Sequence, residues 1–218
     1  VLKAYGVDAK VCYLGVNADR FQPRKRREED AAAPYVVSIG SLAPAKNTHL
    51  VIQALADLQA RFGMAVGIRW VANFAYDDYA QQMHDLASRL GVAFHVDHLP
   101  SEDELANILS RCEAVVYAPQ LEPFGFVPIE ANLREIPVVA VAEGGCRETV
   151  IDGITGLLAE NTPESLSEKL HQLLTNPELR ERLVAKGREI ALTKWSLEEA
   201  NARFQAHVHD LVQPATVR

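Results

Sequence analysis

Two glutamates lie eight positions apart in the segment Glu122–Glu130, with Gly125 between them. An ionised carboxylate only accepts hydrogen bonds, so it suits the hydroxyl groups of a sugar. Gly125 can adopt backbone angles that other residues avoid, and Pro128 is a residue favoured at the first position of a helix. The segment therefore predicts a turn and a helix N-terminus, with Glu130 in the first turn and free N–H groups that suit a phosphate. A ligand with a diphosphate between two polyols, which is a nucleotide sugar, would match this pattern.

A second group of candidate residues lies in the loop from Gly40 to Lys46, directly after an apolar run. A lysine in such a loop can hold a diphosphate as a point charge. Structural roles are the alternatives for all three charged residues. Lys46 could be a solvated residue, Glu122 an exposed loop carboxylate, and Glu130 a partner of the helix dipole.

The elements that must position these residues alternate along the chain. Apolar runs typical of buried strands are followed by segments with helical spacing of apolar residues. This alternation predicts an α/β fold with a doubly wound, mostly parallel sheet flanked by helices. Ligands of such sheets bind at the carboxyl ends of the strands. The strands are expected within residues 34–40, 68–72, 93–98, 114–118, 137–142 and 155–159.

Helix starts are readable in the second half of the chain. Ser101 with Glu104 forms the pattern of a capping box. Thr162, Asn176 and Ser196 are residues favoured at the N-cap and precede the last three predicted helices. A further short strand is expected at residues 10–13.

Several motifs together resemble one family. The chain resembles the C-terminal, donor-binding domain of a retaining family-4 (group 1) glycosyltransferase of the GT-B type. Glu122 and Glu130 match the family's Glu–seven residues–Glu motif. The resemblance covers nearly the whole chain, through matching runs at 15–21, 137–141, 144–148 and 152–156.

The resemblance implies a Rossmann-like fold and specific roles. Glu122 would bind the transferred sugar and stabilise its developing positive charge, and Glu130 would bind the ribose hydroxyls. Lys46, following Gly40 and Ser41, would bind the donor's phosphates, so Lys46 and Glu122 are the predicted catalytic residues. The backbone N–H groups expected to face the sugar and the phosphates are those of Phe124, Gly125, Phe126 and Val127. The main chain of Val96, His98 and Leu99 is the predicted site for the nucleotide base.

The chain departs from the family pattern in two places. Ser41 occupies a position where the family usually has an arginine, which removes one positive charge beside the leaving group. Loss of a comparable transition-state contact costs about 3 kcal/mol in other enzymes. Arg147 is the nearest substitute cation that the sequence suggests. Aromatic residues within Val71–Tyr76 replace a glycine-rich turn that many family members have there, so the resemblance does not identify the donor.

Composition limits the other partners. The formal charge of −7 argues against nucleic acid, which usually binds a basic surface. The basic run at 24–27 is interpreted as a solvated loop. No run reaches the ~18 apolar residues of a membrane-spanning helix, and no secretory signal is visible.

Three scattered cysteines fit a reducing compartment. We expect no metal, no cofactor and a cytoplasmic location, with peripheral association at the inner membrane face left open.

The expected organisation has four parts. Residues 1–33 would form an interdomain linker and edge segment, 34–195 the nucleotide-sugar domain, 196–212 a helix that packs back toward a missing N-terminal domain, and 213–218 a disordered tail. Transfer of a hexose from a UDP-, GDP- or ADP-sugar to an unknown acceptor, with retention of configuration, would need that missing domain, so the isolated piece should be inactive. The alternative is a non-catalytic nucleotide-sugar-binding or scaffold module. A dehydrogenase is disfavoured because the G-x-G-x-x-G fingerprint is missing.

Overall fold

One sheet of parallel strands forms the centre of the protein. The computed structural model describes residue 6, residues 9–23 and residues 33–212. Within these residues the strands, in chain order, are β1 (Tyr35–Ile39), β2 (Gly67–Ala72), β3 (Phe94–His98), β4 (Val115–Tyr117), β5 (Val138–Val141) and β6 (Leu157–Ala159). They lie in the order β3-β2-β1-β4-β5-β6, and every neighbouring pair is parallel. The predicted doubly wound α/β fold is therefore confirmed.

Helices connect the strands and finish the chain. In chain order they are α1 (Thr48–Phe62), α2 (Asp77–Leu90), α3 (Glu102–Arg111), α4 (Phe126–Leu133), α5 (Cys146–Thr149), α6 (Pro163–Thr175), α7 (Pro177–Lys194) and α8 (Leu197–Val212). Two 3₁₀ turns, Ala18–Arg20 and Pro44–Lys46, lie in loops. The predicted capping box at Ser101 and Glu104 is present. The side chains of Thr162 and Asn176 also cap their helices as predicted.

The strands are apolar throughout because helices cover both faces of the sheet. Successive residues of a strand point to opposite faces, and Val36 and Val37 accordingly belong to two different core clusters. Helices α1, α2 and α6 contribute to the first cluster, and helices α3, α4 and α5 contribute to the second. The sheet is thus the middle layer of three.

The order of the strands fixes where a ligand can bind. The connections run in one direction from β1 to β3 and in the other from β4 to β6. The point of reversal lies between β1 and β4, and a crevice opens there at the carboxyl ends of the strands. The loop that begins at Gly40 follows β1, and the loop that contains Glu122 follows β4. The fold therefore brings the two predicted groups of site residues to one place.

The prediction of a strand at residues 10–13 was wrong. These residues have no strand partner and no regular structure, because a strand needs a neighbour to satisfy its backbone groups. The segment instead contacts the junction of α7 and α8, where Val16 makes an isolated bridge with Ser196.

The basic run at 24–27 and the predicted tail at 213–218 lie outside the described residues. The proposed domain boundaries stay predictions.

Candidate donor-binding site

The loop after β1 is built around Gly40 and Lys46. Gly40 has a φ of 147°, a region that favours glycine. Its carbonyl accepts a hydrogen bond from the indole nitrogen of Trp70 at 3.0 Å. A Cβ atom at Gly40 would lie 3.5 Å from Cε of Lys46, so the lysine side chain folds back over the glycine. Ser41 follows and is half-buried.

Lys46 and Glu122 form an ion pair across the crevice. The Nζ atom of Lys46 lies 2.9 Å from Oε2 of Glu122, and the two side chains are 28% and 15% exposed. The two loops are also joined through the backbone, since the N–H of Gln120 donates to the carbonyl of Ala45 at 2.8 Å. Lys46 is therefore not a solvated lysine, and Glu122 is not an exposed loop carboxylate.

The Glu122 carboxyl is held in its charged form. Burial alone would raise its pKa, but the Lys46 ammonium, the Tyr117 hydroxyl and the N–H of Gly125 together outweigh burial and lower it. The same surroundings, burial first and Glu122 second, raise the pKa of Tyr117 well above its ordinary value. Glu122 is thus a fixed negative charge at neutral pH, suited to stabilising a developing positive charge rather than to delivering a proton.

Sequence reasoning missed Tyr117, which ends β4 and is buried. Its position at the end of β4 was the available signal in the sequence, because the last residue of a strand beside the point of reversal faces the crevice.

A buried thiol, Cys146, also lies near Glu122 and Tyr117. Burial, followed by the charge of Glu122, raises the pKa of Cys146 to about 12, so this thiol stays protonated and is not a nucleophile.

Helix α4 begins two residues earlier than predicted. Gly125, with a φ of 89°, is the N-cap, and Phe126 is the first helical residue. The N–H groups of Phe126 and Val127 have no partner inside the helix, and Pro128, now the third residue, has no N–H to leave unpaired. The left-handed glycine starts the helix before the proline does. The predicted helix boundary was wrong, and the N–H of Gly125 donates to Glu122 instead of facing a ligand; the roles of the other N–H groups stay predictions.

Glu130 consequently lies in the second turn of α4, and its predicted place in the first turn was wrong. The helix dipole acts mainly within the first turn, so this explanation for Glu130 loses support. The side chain is half-buried. Burial raises its pKa, and the neighbouring Arg134 only partly opposes that effect. Glu130 is thus a partly desolvated carboxyl whose charge is only partly compensated by Arg134.

The glycine pair Gly144 and Gly145 packs against the loop that contains Glu122. The N–H of Gly145 donates to the carbonyl of Glu122 at 2.7 Å. A Cβ atom at Gly144 would lie 2.3 Å from that carbonyl oxygen, and one at Gly145 would lie 2.4 Å from Cα of Phe124. The glycines therefore allow this loop to approach closely. Arg147 follows on α5 and is exposed.

The run at 152–156 has a structural role. The hydroxyl of Thr155 accepts from the N–H of Ile151 at 2.8 Å. The carboxylate of Asp152 accepts from the N–H of Leu158 at 2.8 Å. Both side chains hold the turn that precedes β6.

The predicted base site lines an open hollow of about 410 Å³ beside β3. Val96, His98 and Leu99 all border it. Leu99 has a φ of 46°, and its N–H donates to the carbonyl of Ala72 at 2.9 Å, so the main chain turns sharply here. The imidazole of His98 is exposed.

An ion pair in the wall of the hollow was missed by sequence reasoning. Nε of Arg69 lies 2.9 Å from Oδ2 of Asp97, and Arg69 also lies over the ring of Tyr35. A charged residue inside each of two predicted strands was the available signal. Between the hollow and the Lys46 loop, Phe74 and Tyr76 are 50% and 56% exposed, with their rings edge to face at 4.9 Å.

Two features are absent from the residues that the structure describes. No group of three or more histidine, cysteine, aspartate or glutamate side chains could hold a metal ion. No helix among them is both long and apolar enough to cross a bilayer.

The fold and the site together define a class of protein. A parallel sheet that is covered by helices on both faces and reverses between β1 and β4 is a Rossmann-like α/β domain, and its point of reversal carries a lysine, a glutamate and a helix N-terminus. The chain belongs to the family of group 1 glycosyl transferases, because the family model matches residues 19–190. It corresponds to a C-terminal domain of the GT-B type.

Curated relatives carry transferase names. A GDP-mannose-dependent alpha-(1-6)-phosphatidylinositol monomannoside mannosyltransferase of Mycolicibacterium smegmatis is 31% identical over 92% of this chain and 56% of its own length. The human alpha-1,3/1,6-mannosyltransferase ALG2 is 26% identical over 94% of this chain and 53% of its own length. The chain thus spans about half the length of these relatives.

Solved structures agree in fold. A glycosyltransferase from Rickettsia africae superimposes with a TM-score of 0.84 at 20% identity, over 98% of this chain and 61% of that protein. The C-terminal domain of a group 1 glycosyl transferase from Francisella tularensis matches over its whole length and 84% of this chain, with a TM-score of 0.73 at 21% identity. Anabaena HepE, solved with UDP-glucose, has a TM-score of 0.78 at 24% identity over 92% of this chain and 57% of its own.

Proposed function

We propose that this chain is the donor-binding half of a glycosyltransferase that moves a hexose from a nucleoside diphosphate sugar to an acceptor with retention of configuration. The observation that carries the proposal is the ion pair between Lys46 and Glu122, 2.9 Å apart at the switch point of the sheet. Membership of the group 1 family supports it. The rest of the protein, which would correspond to the other half of its relatives, would supply the acceptor site.

Each residue has a role that follows from its chemistry. The diphosphate would lie between Lys46 and the free N–H groups of Phe126 and Val127, where a helix N-terminus favours negative charge. Glu122 would stabilise positive charge on the sugar as the bond to the leaving phosphate breaks. Glu130 would accept hydrogen bonds from the ribose hydroxyls, and the base would lie in the hollow beside Leu99.

The donor base remains open among guanine, uracil and adenine. The mycobacterial relative is named as GDP-mannose-dependent, whereas HepE was solved with UDP-glucose. A cytoplasmic location, with or without peripheral association at the inner membrane face, stays a prediction.

A non-catalytic nucleotide-sugar-binding module is the second candidate. Ser41 supports it, because the loop after β1 holds one lysine and no arginine, and that lysine is already paired with Glu122. Lysine has three N–H donors, so Lys46 can hold Glu122 and a phosphate oxygen at once, which favours the catalytic proposal.

Thermal unfolding with UDP, GDP and ADP at millimolar concentration tests the site. A ligand at 100 times its dissociation constant stabilises the folded state by about 2.7 kcal/mol. We expect a shift with one of the three nucleotides and a much smaller shift in Lys46→Ala. Lys186→Ala is the matched control, since Lys186 pairs with Glu189 on the exposed face of α7. This variant should bind nucleotide as the wild type does.

Two results would contradict the proposal. If no nucleotide shifts the thermal unfolding of the wild-type chain, the proposed donor site is wrong. An equal loss in Lys46→Ala and Lys186→Ala would mean that the phosphate does not bind at the crevice. If nucleotide binds but Ser41→Arg gains no affinity, and no donor is turned over by a protein extended to the length of the relatives, the binding-module candidate is favoured.

A further inference from the structure

A cluster of aromatic rings lies against the loop that contains Glu122. Two of its members, Phe124 and Phe126, belong to the loop and to the start of α4, with ring centres 4.9 Å apart. The other two come from distant parts of the chain. Trp195 lies 5.5 Å from Phe124, and Tyr13 lies 5.4 Å from Trp195, edge to face, and 6.4 Å from Phe124. We call these four residues the aromatic cluster.

The segment that carries Tyr13 is fixed to the end of α7 and the start of α8. The N–H of Val16 donates to the carbonyl of Trp195 at 2.8 Å, and the N–H of Leu197 donates back to the carbonyl of Val16 at 2.9 Å. A Cβ atom at Gly15 would lie 2.4 Å from the carbonyl oxygen of Ser196. The segment can therefore approach this closely only with glycine at position 15, and Tyr13 is held in a defined place.

Tyr13 also approaches the loop from a second side. Its hydroxyl faces the carboxylate of Glu148 on α5, and this contact is the main reason that its pKa is raised. Helix α5 follows Gly145, whose N–H donates to the Glu122 carbonyl at 2.7 Å. One side chain thus contacts both the ring of Phe124 and the short helix that anchors the backbone of Glu122.

We propose that Tyr13 is a positioning residue for the loop Glu122–Phe126, which it holds through the rings of Phe124 and Trp195. Its meaning for catalysis rests on the proposed function. Its effect on the loop does not, because the ring contacts join Tyr13 to the loop itself. Tyr13 acts through the loop, so it is a positioning residue and not a catalytic one.

The fixed geometry of Glu122 depends on this support. Lys46, Tyr117 and the N–H of Gly125 hold its carboxylate, but these contacts place it correctly only if the backbone from residue 122 to 126 keeps its path. Aromatic pairs of this geometry stabilise a structure modestly beyond the area they bury. Loss of the Tyr13 ring should therefore loosen the loop and leave the fold intact.

Hydrogen–deuterium exchange on the unliganded chain tests the proposal directly. In Tyr13→Ala we expect the amides of Gly125 and Gly145, which both donate to Glu122, to exchange about three- to tenfold faster, which is the scale of one or two aromatic pairs. Tyr13→Phe keeps the ring and should retain most of the protection. Phe62→Ala is the matched control, because Phe62 is a half-buried ring stacked on His171 at 4.0 Å at the far end of α1, and its loss should leave the loop unchanged.

Unchanged exchange of the loop in Tyr13→Ala would overturn the proposal, and so would equal acceleration in Tyr13→Ala and Phe62→Ala, which would mean general destabilisation. A donor titration separates this result from the proposed function. If wild type binds no nucleotide sugar, the proposed function fails while the exchange result stands. If wild type binds donor and Tyr13→Ala binds as Phe62→Ala does, Tyr13 does not position the site.

Discussion

At the scale of single residues, Lys46 and Glu122 carry the two charges that the proposed function uses. Each charge stabilises the other, with a 2.9 Å separation in a crevice that leaves little of either side chain exposed. A partly buried ion pair is costly to break by removing one partner, because the other charge is left uncompensated. The pair therefore fixes each side chain relative to the other, and a fixed arrangement of charges of this kind would lower the reorganisation needed in the proposed reaction.

Glu130 differs from Glu122 because burial, only partly opposed by Arg134, raises its pKa. The folded chain then holds this proton more tightly than the unfolded chain does. Between the two pKa values the folded state binds more protons, so the free energy of unfolding falls as pH rises through that range. Above both values the charged carboxylate destabilises the fold.

Glu130→Gln should therefore stabilise the protein at pH 8 by about 0.5–2 kcal/mol, the scale of typical stabilising substitutions, and by less at pH 4. Urea unfolding at the two pH values measures this difference. Glu181→Gln, on the exposed face of α7, is the control and should show no such gap. Equal effects of the two substitutions at pH 8 would contradict the burial argument. Affinity for nucleotide should fall in Glu130→Gln alone.

Sequence reasoning identified the charged residues of the site but not their contacts. Lys46, Glu122 and Glu130 could be selected from residue type and spacing, and the two loops could be assigned to strand ends. The missed contacts depend on which strands are neighbours. They are the Lys46–Glu122 ion pair, the buried hydroxyl of Tyr117 beside Glu122, and the Arg69–Asp97 ion pair. Spacing along the chain does not contain that information, whereas the sheet order does.

At the scale of elements, the start of α4 and the turn into α5 hold the loop of Glu122 between them. The sequence offered two start signals for α4, Gly125 and Pro128, and gave no means to rank them. The left-handed φ of Gly125 determines where α4 begins, because it turns the backbone out of the preceding loop and the next residue is already helical. Apolar runs predicted the strands well, because strands covered on both faces are continuously apolar.

The close approach of α5 to this loop gives a sharp prediction for Gly145. Its backbone angles are ordinary for alanine, with a φ of −66°, so Gly145→Ala adds only the clash with Phe124 at 2.4 Å. Forcing the loop away should cost about 1–3 kcal/mol of stability and weaken donor binding. Thermal unfolding and nucleotide titration measure the two effects.

Gly153→Ala provides the comparison for Gly145→Ala. Gly153 has a φ of 72° and open space around a Cβ, so alanine there adds backbone strain of about 1–2 kcal/mol without touching the loop. Nucleotide affinity should stay at the wild-type value in this variant. If both variants lose the same affinity, the tight contact at Gly145 does not support the site.

At the scale of the whole molecule, the described part of the chain ends in a helix with an uncovered apolar side. Phe204 and Val208, one turn apart on α8, are 58% and 40% exposed. The segment before the sheet and α8 run side by side through the contacts of Val16. Because the chain spans about half the length of its relatives, we infer that the other half of such a protein covers this side of α8.

Substitution of both residues by serine separates this explanation from a role in the fold of the chain itself. In the chain alone, Phe204→Ser with Val208→Ser should change the free energy of unfolding by no more than about 0.5 kcal/mol, as exposed substitutions do. In a protein extended to the length of the relatives, the same pair should weaken docking of the two halves by about 1.5–3 kcal/mol for each side chain that becomes fully buried. Limited proteolysis between the halves and transfer activity report that loss.

The matched control for this experiment lies on the same helix. Asn201→Ser with Gln205→Ser changes two exposed polar residues at the same spacing, and it should alter neither the chain nor the extended protein. A large loss of stability in the chain alone with Phe204→Ser and Val208→Ser would mean that these side chains support the fold of this domain. Wild-type proteolysis and activity in the extended protein would mean that the other half docks elsewhere, because an apolar contact of this size cannot be removed without weakening the interface that buries it.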